Sequence, residues 1–264
     1  MKIGFIGCGN MASAMIGGII KNQVAVPEEI LASAKSEATR EKAAKNLGIR
    51  LTASNQEVAA FADVLILAVK PFYYEQVIAE IKGDVKEEAV IVSITPGKTL
   101  VWLEEQFGRP MKVVRTMPNT PALVGEGISC ICGGSQVEQE DLDKVCEIFS
   151  GFGKTEIVEE PMIDVFVGVS GSSPAYVFMF IEALADAGVS EGMSRAQAYR
   201  FAAQAVLGSA KMVLETGKHP GELKDMVCSP KGTTIEAVRI LEEKGLRSAV
   251  FEAAKACVIK AREV

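Results

Sequence analysis

Along the first 160 residues, short runs of β-branched and aliphatic residues alternate with stretches of helical periodicity. The runs read KIGFIG, ILAS, IRLT, DVLILAV, AVIVSI and KVVRT, and between them lie MASAMIGGIIK and EATREKAAKNL, which carry the helical pattern. Continuously apolar strands separated by helices predict a parallel sheet covered on both faces. GISCICGG and KTEIVE add two further strands, with EQEDLDKVCEIFSGF as the helix between them. From about Ile163 the pattern changes. PAYVFMFIEALADAGVSEG, RAQAYRFAAQAVLGSAKMVLETG, TTIEAVRILEEKG and LRSAVFEAAKACVIKAREV all have helical periodicity, and strand-like alternation ends. The first two of these are apolar on more than one face, which predicts burial on several sides, in a bundle or across a dimer interface. The chain is therefore read as α/β: residues 1–160 a doubly wound sheet of the Rossmann type, residues 161–264 an all-helical dimerisation domain.

Hydrophobic residues make up 48% of the 264 and charged residues 23%, enough apolar material for a sizeable core and too little charge for disorder. So low a charged fraction also hints that another subunit covers part of the surface. The net charge is −6 and no basic block occurs, which argues against a nucleic acid or an anionic membrane as partner. The apolar runs VLILAV and AYVFMFI are too short to span a bilayer, and nothing like a secretion signal precedes KIGFIG, so a cytoplasmic protein is expected. The six cysteines are scattered, form no C-x-x-C pair and accompany a single histidine. They read as free thiols in a reducing compartment, with no metal site.

Gly7, Gly9 and Ala12 have the G-x-G-x-x-G/A spacing, directly after the first strand and at the start of a helix. Gly7 permits the tight turn, Gly9 lets a pyrophosphate approach the backbone, and Ala12 lets helix and strand pack closely. Ile6, Cys8, Asn10 and Met11 complete the loop. An ordinary strand–helix turn is the plain alternative. An NAD site carries an acid at the tip of the second strand. Here the tip reads Ser33-Ala34-Lys35-Ser36, with one ammonium and two hydroxyls. Lys35 would attract a 2′-phosphate that an acid would repel, so NADP is expected over NAD, unless Lys35 is merely a solvated lysine. Ligands of open parallel sheets sit outside the carboxyl ends of the strands. Ala68, Val69, Lys70 and Pro71 end the fourth strand and ITPGKT the fifth, so both loops should border the cofactor. TMPNTP, with two prolines, should be a rigid loop near the nicotinamide. Asn55 opens a helix, either as a cofactor contact or as a plain N-cap.

A hydride donor needs a C=O or C=N acceptor, and carbonyl reduction usually needs a poised proton donor. The single histidine, His219, lies in TGKHPGELKD and reads as an exposed turn residue. The β-hydroxyacid dehydrogenases share the N-terminal fingerprint and carry a lysine early in the second domain, but the matching stretch GVSGSSPAYVFMFIEAL has none. A cyclic imine is basic enough to be protonated readily, so orientation becomes the main requirement. If that substrate is also a carboxylate, a second anion site is needed. CSPKGTTIEAV offers one: a turn leading into a helix, with Ser229 and the backbone N–H groups of Lys231, Gly232, Thr233 and Thr234 around the anion. The Thr234 hydroxyl could then face the ring nitrogen.

FIGCGNMASAMIGG, DVLILAVKP, MPNTPALVGEG, VSGSSPAYVFMFIEALADAGV and HPGELKDMVCSPKGTTIEAV together resemble the pyrroline-5-carboxylate reductase family over essentially the whole chain. The resemblance implies NAD(P)H-dependent reduction of L-1-pyrroline-5-carboxylate to L-proline, the last step of proline synthesis. It implies a helical domain interlocked with a partner subunit, active sites where the helical domains meet, and homodimers that often assemble to a decamer. It also implies that Glu160 stands near an acidic substrate contact, and that Met226 replaces a residue that can be a polar contact in relatives. The chain departs from the pattern at Lys231-Gly232, where the family usually has Gly-Gly, and at Ser173, often Gly. A positive φ at position 231 would strain a lysine. Two other readings are a related reductase acting on another imine or small acid, and a non-catalytic NADP sensor. The C-terminal signature disfavours the first. The intact SPKGTT loop disfavours the second, since a sensor needs no substrate carboxylate site.

Overall fold

The computed structural model describes residues 1–263. The expected runs become β1 (Ile3–Ile6), β2 (Ile30–Ser33), β3 (Arg50–Thr52), β4 (Val64–Leu67), β5 (Val90–Ser93), β6 (Lys112–Met117), β7 (Gly127–Gly133) and β8 (Gly153–Ile157). All eight join one sheet in the order β3-β2-β1-β4-β5-β6-β7-β8. In the central register, Ile3–Ile6 lies beside Ile30–Ser33 on one side and Val64–Leu67 on the other. Every pairing is parallel except β6 with β7. That reversal corrects the expectation of a parallel sheet throughout. Only a 3₁₀ turn, Thr120–Val124, lies between these two strands, and so short a connection cannot hold a crossover helix.

The helices of this region are α1 (Asn10–Lys21), α2 (Glu37–Leu47), α3 (Asn55–Phe61), α4 (Tyr74–Ile81), α5 (Leu100–Phe107) and α6 (Gln139–Ser150). Met15, Ile16 and Ile19 of α1 and Val145, Ile148 and Phe149 of α6 fill one apolar layer. Val58 of α3, Ile78 and Ile81 of α4, and Leu103 and Phe107 of α5 fill the other. With both faces covered, β1, β2, β4 and β5 are buried at every position, which is why their sequences are continuously apolar. The six cysteines are free thiols, and Cys8, Cys130 and Cys132 are buried.

A polar ladder locks the carboxyl ends of the central strands. The buried Tyr74 hydroxyl donates to the Leu67 carbonyl at 2.6 Å and accepts from Ser93 Oγ at 3.2 Å, and Thr116 Oγ1 donates to the Ser93 carbonyl at 3.0 Å. Burial raises the Tyr74 phenol well above its ordinary range. Tyr74→Phe is expected to lower the unfolding free energy by about 1–2 kcal/mol, because buried polar groups lose their partner. Urea denaturation of the two proteins measures this difference.

Beyond the sheet come α7 (Pro161–Phe166), a π-helical turn Val167–Gly171, α8 (Ser173–Ser190), α9 (Arg195–Thr216), α10 (Pro220–Met226), α11 (Thr233–Glu243) and α12 (Leu246–Arg262). The chain forms two compact units: Met1–Ser172 with the segment from Cys257 on, and Ser173–Ala256. The sheet unit thus runs past the expected boundary at 160/161. Ile163 of α7 is buried in the second apolar layer, and the buried Arg115 side chain pairs with Glu160 at 3.0 Å and Asp164 at 3.3 Å. Cys257 returns to this unit, its thiol 3.2 Å from Ser172 Oγ. Helix α10 replaces what reads as a Pro/Gly turn: Pro220 opens it, and His219 Nδ1 caps it by accepting the Gly221 N–H at 3.0 Å.

In the second unit the fully buried apolar residues, among the described residues, are the small Ala185, Ala198 and Ala202. Phe178, Met179, Phe201, Leu207, Leu214 and Phe251 are exposed. Phe180, Leu184, Ala205, Val206, Ala210 and Val213 line an apolar hollow of about 570 Å³ on α8 and α9. By length and composition alone, the helical stretch Pro161–Ser190 could also cross a membrane. The separate apolar runs do not suggest this, because the structure joins them through the π turn.

Candidate active site

Gly7 has φ +95°, and a Cβ there would lie 2.7 Å from the Ala68 carbonyl oxygen, so glycine is required where β1 meets the end of β4. The Gly7 N–H donates to the Ser33 carbonyl at 3.1 Å, and the Ala68 N–H to the Ile6 carbonyl at 2.8 Å. Gly9 is the N-cap of α1, with no side chain capping the helix. A Cβ on Gly9 would meet nothing within 4 Å. The first-turn N–H groups of α1 therefore face open space, a cradle that fits a dinucleotide pyrophosphate. Ala12 is buried, as close packing of helix on strand requires. In the same loop Ile6 and Cys8 are buried, Met11 is half-buried and Asn10 is exposed. Burial pushes the Cys8 thiol pKa up. A cleft of about 690 Å³ starts at Cys8, Gly9 and Asn10 and continues past Thr39, Lys42 and Asn46.

At the tip of β2, Ser33 is buried and its hydroxyl donates to Asn55 Oδ1 at 2.7 Å. Asn55 Nδ2 in turn donates to Glu80 Oε2 at 3.0 Å. Asn55 is not the N-cap of α3: Ser54 takes that position and accepts from the Glu57 N–H at 3.1 Å. Ser36 caps α2, accepting the Thr39 N–H at 3.1 Å. Lys35 is exposed. Arg40, which the sequence reading misses, reaches back from α2, and its Nη1 donates to the carbonyls of Ala34 at 2.8 Å and Lys35 at 3.0 Å. An arginine on the first turns after an acid-free strand tip is the signal that could have found it.

Ala68, Val69, Lys70 and Pro71 follow β4, and Lys70 precedes a 3₁₀ turn at Pro71–Tyr73. In the TMPNTP loop, Asn119 is buried. Its amide donates to the Ser170 carbonyl and hydroxyl, each at 3.2 Å, and its oxygen accepts the Ile128 N–H at 3.0 Å. The loop is thus rigid, as the prolines suggest, and it is bonded to the π turn.

The stretch expected to form a second anion site lies at the start of α11. Lys231 has φ +59°, so a lysine occupies the left-handed conformation in which glycine is at ease. Gly232 is the N-cap, without side-chain capping, and a Cβ on it would collide with Ser229 Oγ. The Gly232 N–H already donates to the Ser229 carbonyl at 3.0 Å. Of the expected donors Lys231–Thr234, Gly232 is thus already taken, while the first-turn N–H groups of Thr233 and Thr234, with that of Ile235, have no partner within the helix. Thr234 is half-buried, while Ser229 and Lys231 are exposed.

Glu160, expected near an acidic substrate contact, is bonded within the sheet unit. Its Oε1 accepts from the Leu100 N–H at 2.7 Å and from Arg115 at 3.0 Å. A buried guanidinium needs a countercharge, and Glu160 supplies it within the sheet unit. Met226 is exposed.

The chain matches a family model described as pyrroline-5-carboxylate reductase dimerisation over residues 160–264. It matches another, described as NADP oxidoreductase, coenzyme F420-dependent, over residues 2–97. It is 53% identical over 263 residues to the pyrroline-5-carboxylate reductase of Escherichia coli (strain K12), covering 100% of this chain and 98% of that one. The corresponding protein of Methanosarcina acetivorans is 46% identical over 262 residues, with 99% and 96% covered. Among solved structures, Plasmodium falciparum pyrroline carboxylate reductase with NADP bound is similar with a TM-score of 0.90 at 34% identity, over 100% of this chain and 97% of that one.

Proposed function

We infer the working of the site from one premise: the chain belongs to the pyrroline-5-carboxylate reductase family. It is an oxidoreductase that reduces L-1-pyrroline-5-carboxylate to L-proline, and NADP is its cofactor. The full-length likeness, joined to two separate anion-binding helix starts, carries this reading.

Gly7, Gly9 and the first turn of α1 hold the pyrophosphate. The tip of β2 receives the adenosine ribose, with Asn55 and Ser36 beside it. The strand-end loops at Ala68–Pro71 and TMPNTP, stiffened by Tyr74 and Asn119, border the nicotinamide. When bound, the reduced nicotinamide supplies the hydride that turns the C=N bond into an amine. The first turn of α11 takes the substrate carboxylate on the N–H groups of Thr233, Thr234 and Ile235, and Ser229 and Lys231 line its approach. The Thr234 hydroxyl holds the ring nitrogen, directly or through a water. The proton that makes the imine an acceptor comes from solvent, since so basic a nitrogen needs no strong acid beside it. Glu160 stays with Arg115 and outside the substrate contacts.

The helical unit joins two copies into a homodimer through its exposed apolar face, in line with the dimerisation model that matches residues 160–264. Further assembly to a decamer, a cytoplasmic location and the absence of membrane or nucleic-acid partners follow the family resemblance and the charge pattern. The direct test is turnover of L-1-pyrroline-5-carboxylate with NADPH and NADH in parallel. Oxidation of NADPH at the lower KM is expected. Binding of nucleotide without turnover would make the protein a sensor, and preference for NADH would overturn the reading of the β2 tip.

A further inference from the structure

We propose, on the reading that NADP lies across β1 and β2, that Arg40 is the residue that selects the 2′-phosphate. Lys35 is exposed, and its ammonium makes no hydrogen bond or ion pair among the described residues. Arg40 is fixed: Nη1 bridges the carbonyl oxygens of Ala34 and Lys35 at 2.8 and 3.0 Å. Those two carbonyls would otherwise present negative charge at the strand tip, where the fold places the ribose. Arg40 covers them and leaves a tip of positive sign. No carboxylate pairs with Arg40 among the described residues. Its remaining guanidinium donors, Nε and Nη2, carry no bond there either. A planar fork already held at one nitrogen loses little freedom on meeting a phosphate, whereas a lysine must order its whole stem. Ser36 and Thr39, whose hydroxyls lie 2.8 Å apart at the start of α2, add polar groups of the right kind beside it.

The probes are 2′,5′-ADP, which carries the 2′-phosphate, and 5′-AMP, which lacks it. Their binding to the intact protein is measured by calorimetry, so the readout does not depend on turnover. Arg40→Gln is expected to weaken 2′,5′-ADP roughly ten- to a hundredfold, as loss of a charge-assisted contact does, and to leave 5′-AMP within about twofold. Arg40→Lys should recover part of the loss. Lys35→Gln should cost no more than about threefold, consistent with an exposed and unanchored charge. The same split should appear in KM, rising for NADPH and unchanged for NADH. Equal weakening of both probes by Arg40→Gln would reduce Arg40 to a brace for the strand tip and overturn the proposal. So would a larger loss from Lys35→Gln than from Arg40→Gln. If wild type holds 2′,5′-ADP no better than 5′-AMP, the NADP reading of this tip fails, and Arg40 falls with it.

Discussion

Thr234→Ala is expected to lower kcat/KM for L-1-pyrroline-5-carboxylate by about one to two orders of magnitude and to leave NADPH affinity unchanged. The hydroxyl sits on the first turn of α11, beside the open N–H groups proposed to take the substrate carboxylate. Its removal takes one hydrogen bond from the ring nitrogen or its water, and it leaves a desolvated partner unsatisfied, which raises the loss above that of an exposed bond. The proposed nucleotide contacts are residues of the other compact unit, so a cofactor titration should not move. His219→Gln provides the contrast. That imidazole caps α10 through Nδ1, a structural task, and turnover should stay within about twofold. Should the His219 change abolish turnover while the Thr234 change is silent, the proton donor has been put in the wrong place.

Ala205→Glu should break the proposed homodimer and take activity down by at least about a hundredfold. Ala205 is exposed on α9 in the isolated chain, so a glutamate there does not disturb the unit itself. It lines the apolar hollow with Phe180, Leu184 and Val206. A partner seated on that hollow would bury an unpaired carboxylate, at a cost of several kcal/mol. Obligate interfaces of this kind bury more than about 2,000 Å², and they tolerate no such charge at the centre. Sedimentation at micromolar concentration reads the mass, and the imine assay reads the activity. A variant that keeps both the wild-type mass and the wild-type turnover would show that this face is not the interface.

All eight strands were legible in the sequence: β1, β2, β4 and β5 because burial on two faces leaves continuous apolar runs, and the more exposed β3 and β8 from short β-branched stretches at the sheet's edges. The direction of β7 was not, since apolar runs look alike in either direction and only the length of the connection decides. Helix α7 and the π turn escaped notice because PMIDVFVGVSG lacks a clear amphipathic period over so few residues. Helix α10 was hidden by its own start, where His, Pro and Gly read as a turn although Pro at the first helical position favours the helix. At the sites, the glycine spacing located the tight turn between β1 and α1, because it states a backbone requirement directly. For Ser33 and Glu160 the sequence does not show the intramolecular partners, half-buried Asn55 and buried Arg115, that the folded chain gives them. Arg40 was missed because it acts from one turn inside α2, across carbonyls that only the folded strand tip brings within reach.

Cys130 and Cys132 sit inside the sheet on β7, and burial raises both thiol pKa values, that of Cys130 to about 11. At neutral pH Cys130 is therefore held almost wholly as the thiol rather than the thiolate, the form that alkylating reagents attack. In the folded chain these sulfurs are thus shielded twice, by their own acidity and by the strands around them. Once the sheet opens they revert to ordinary cysteines. Their rate of alkylation follows the opening of the β6–β7–β8 edge, and denaturant or bound nucleotide should shift that rate in step with stability. The protein therefore carries a native chemical reporter of its own unfolding, readable by mass spectrometry without an introduced label.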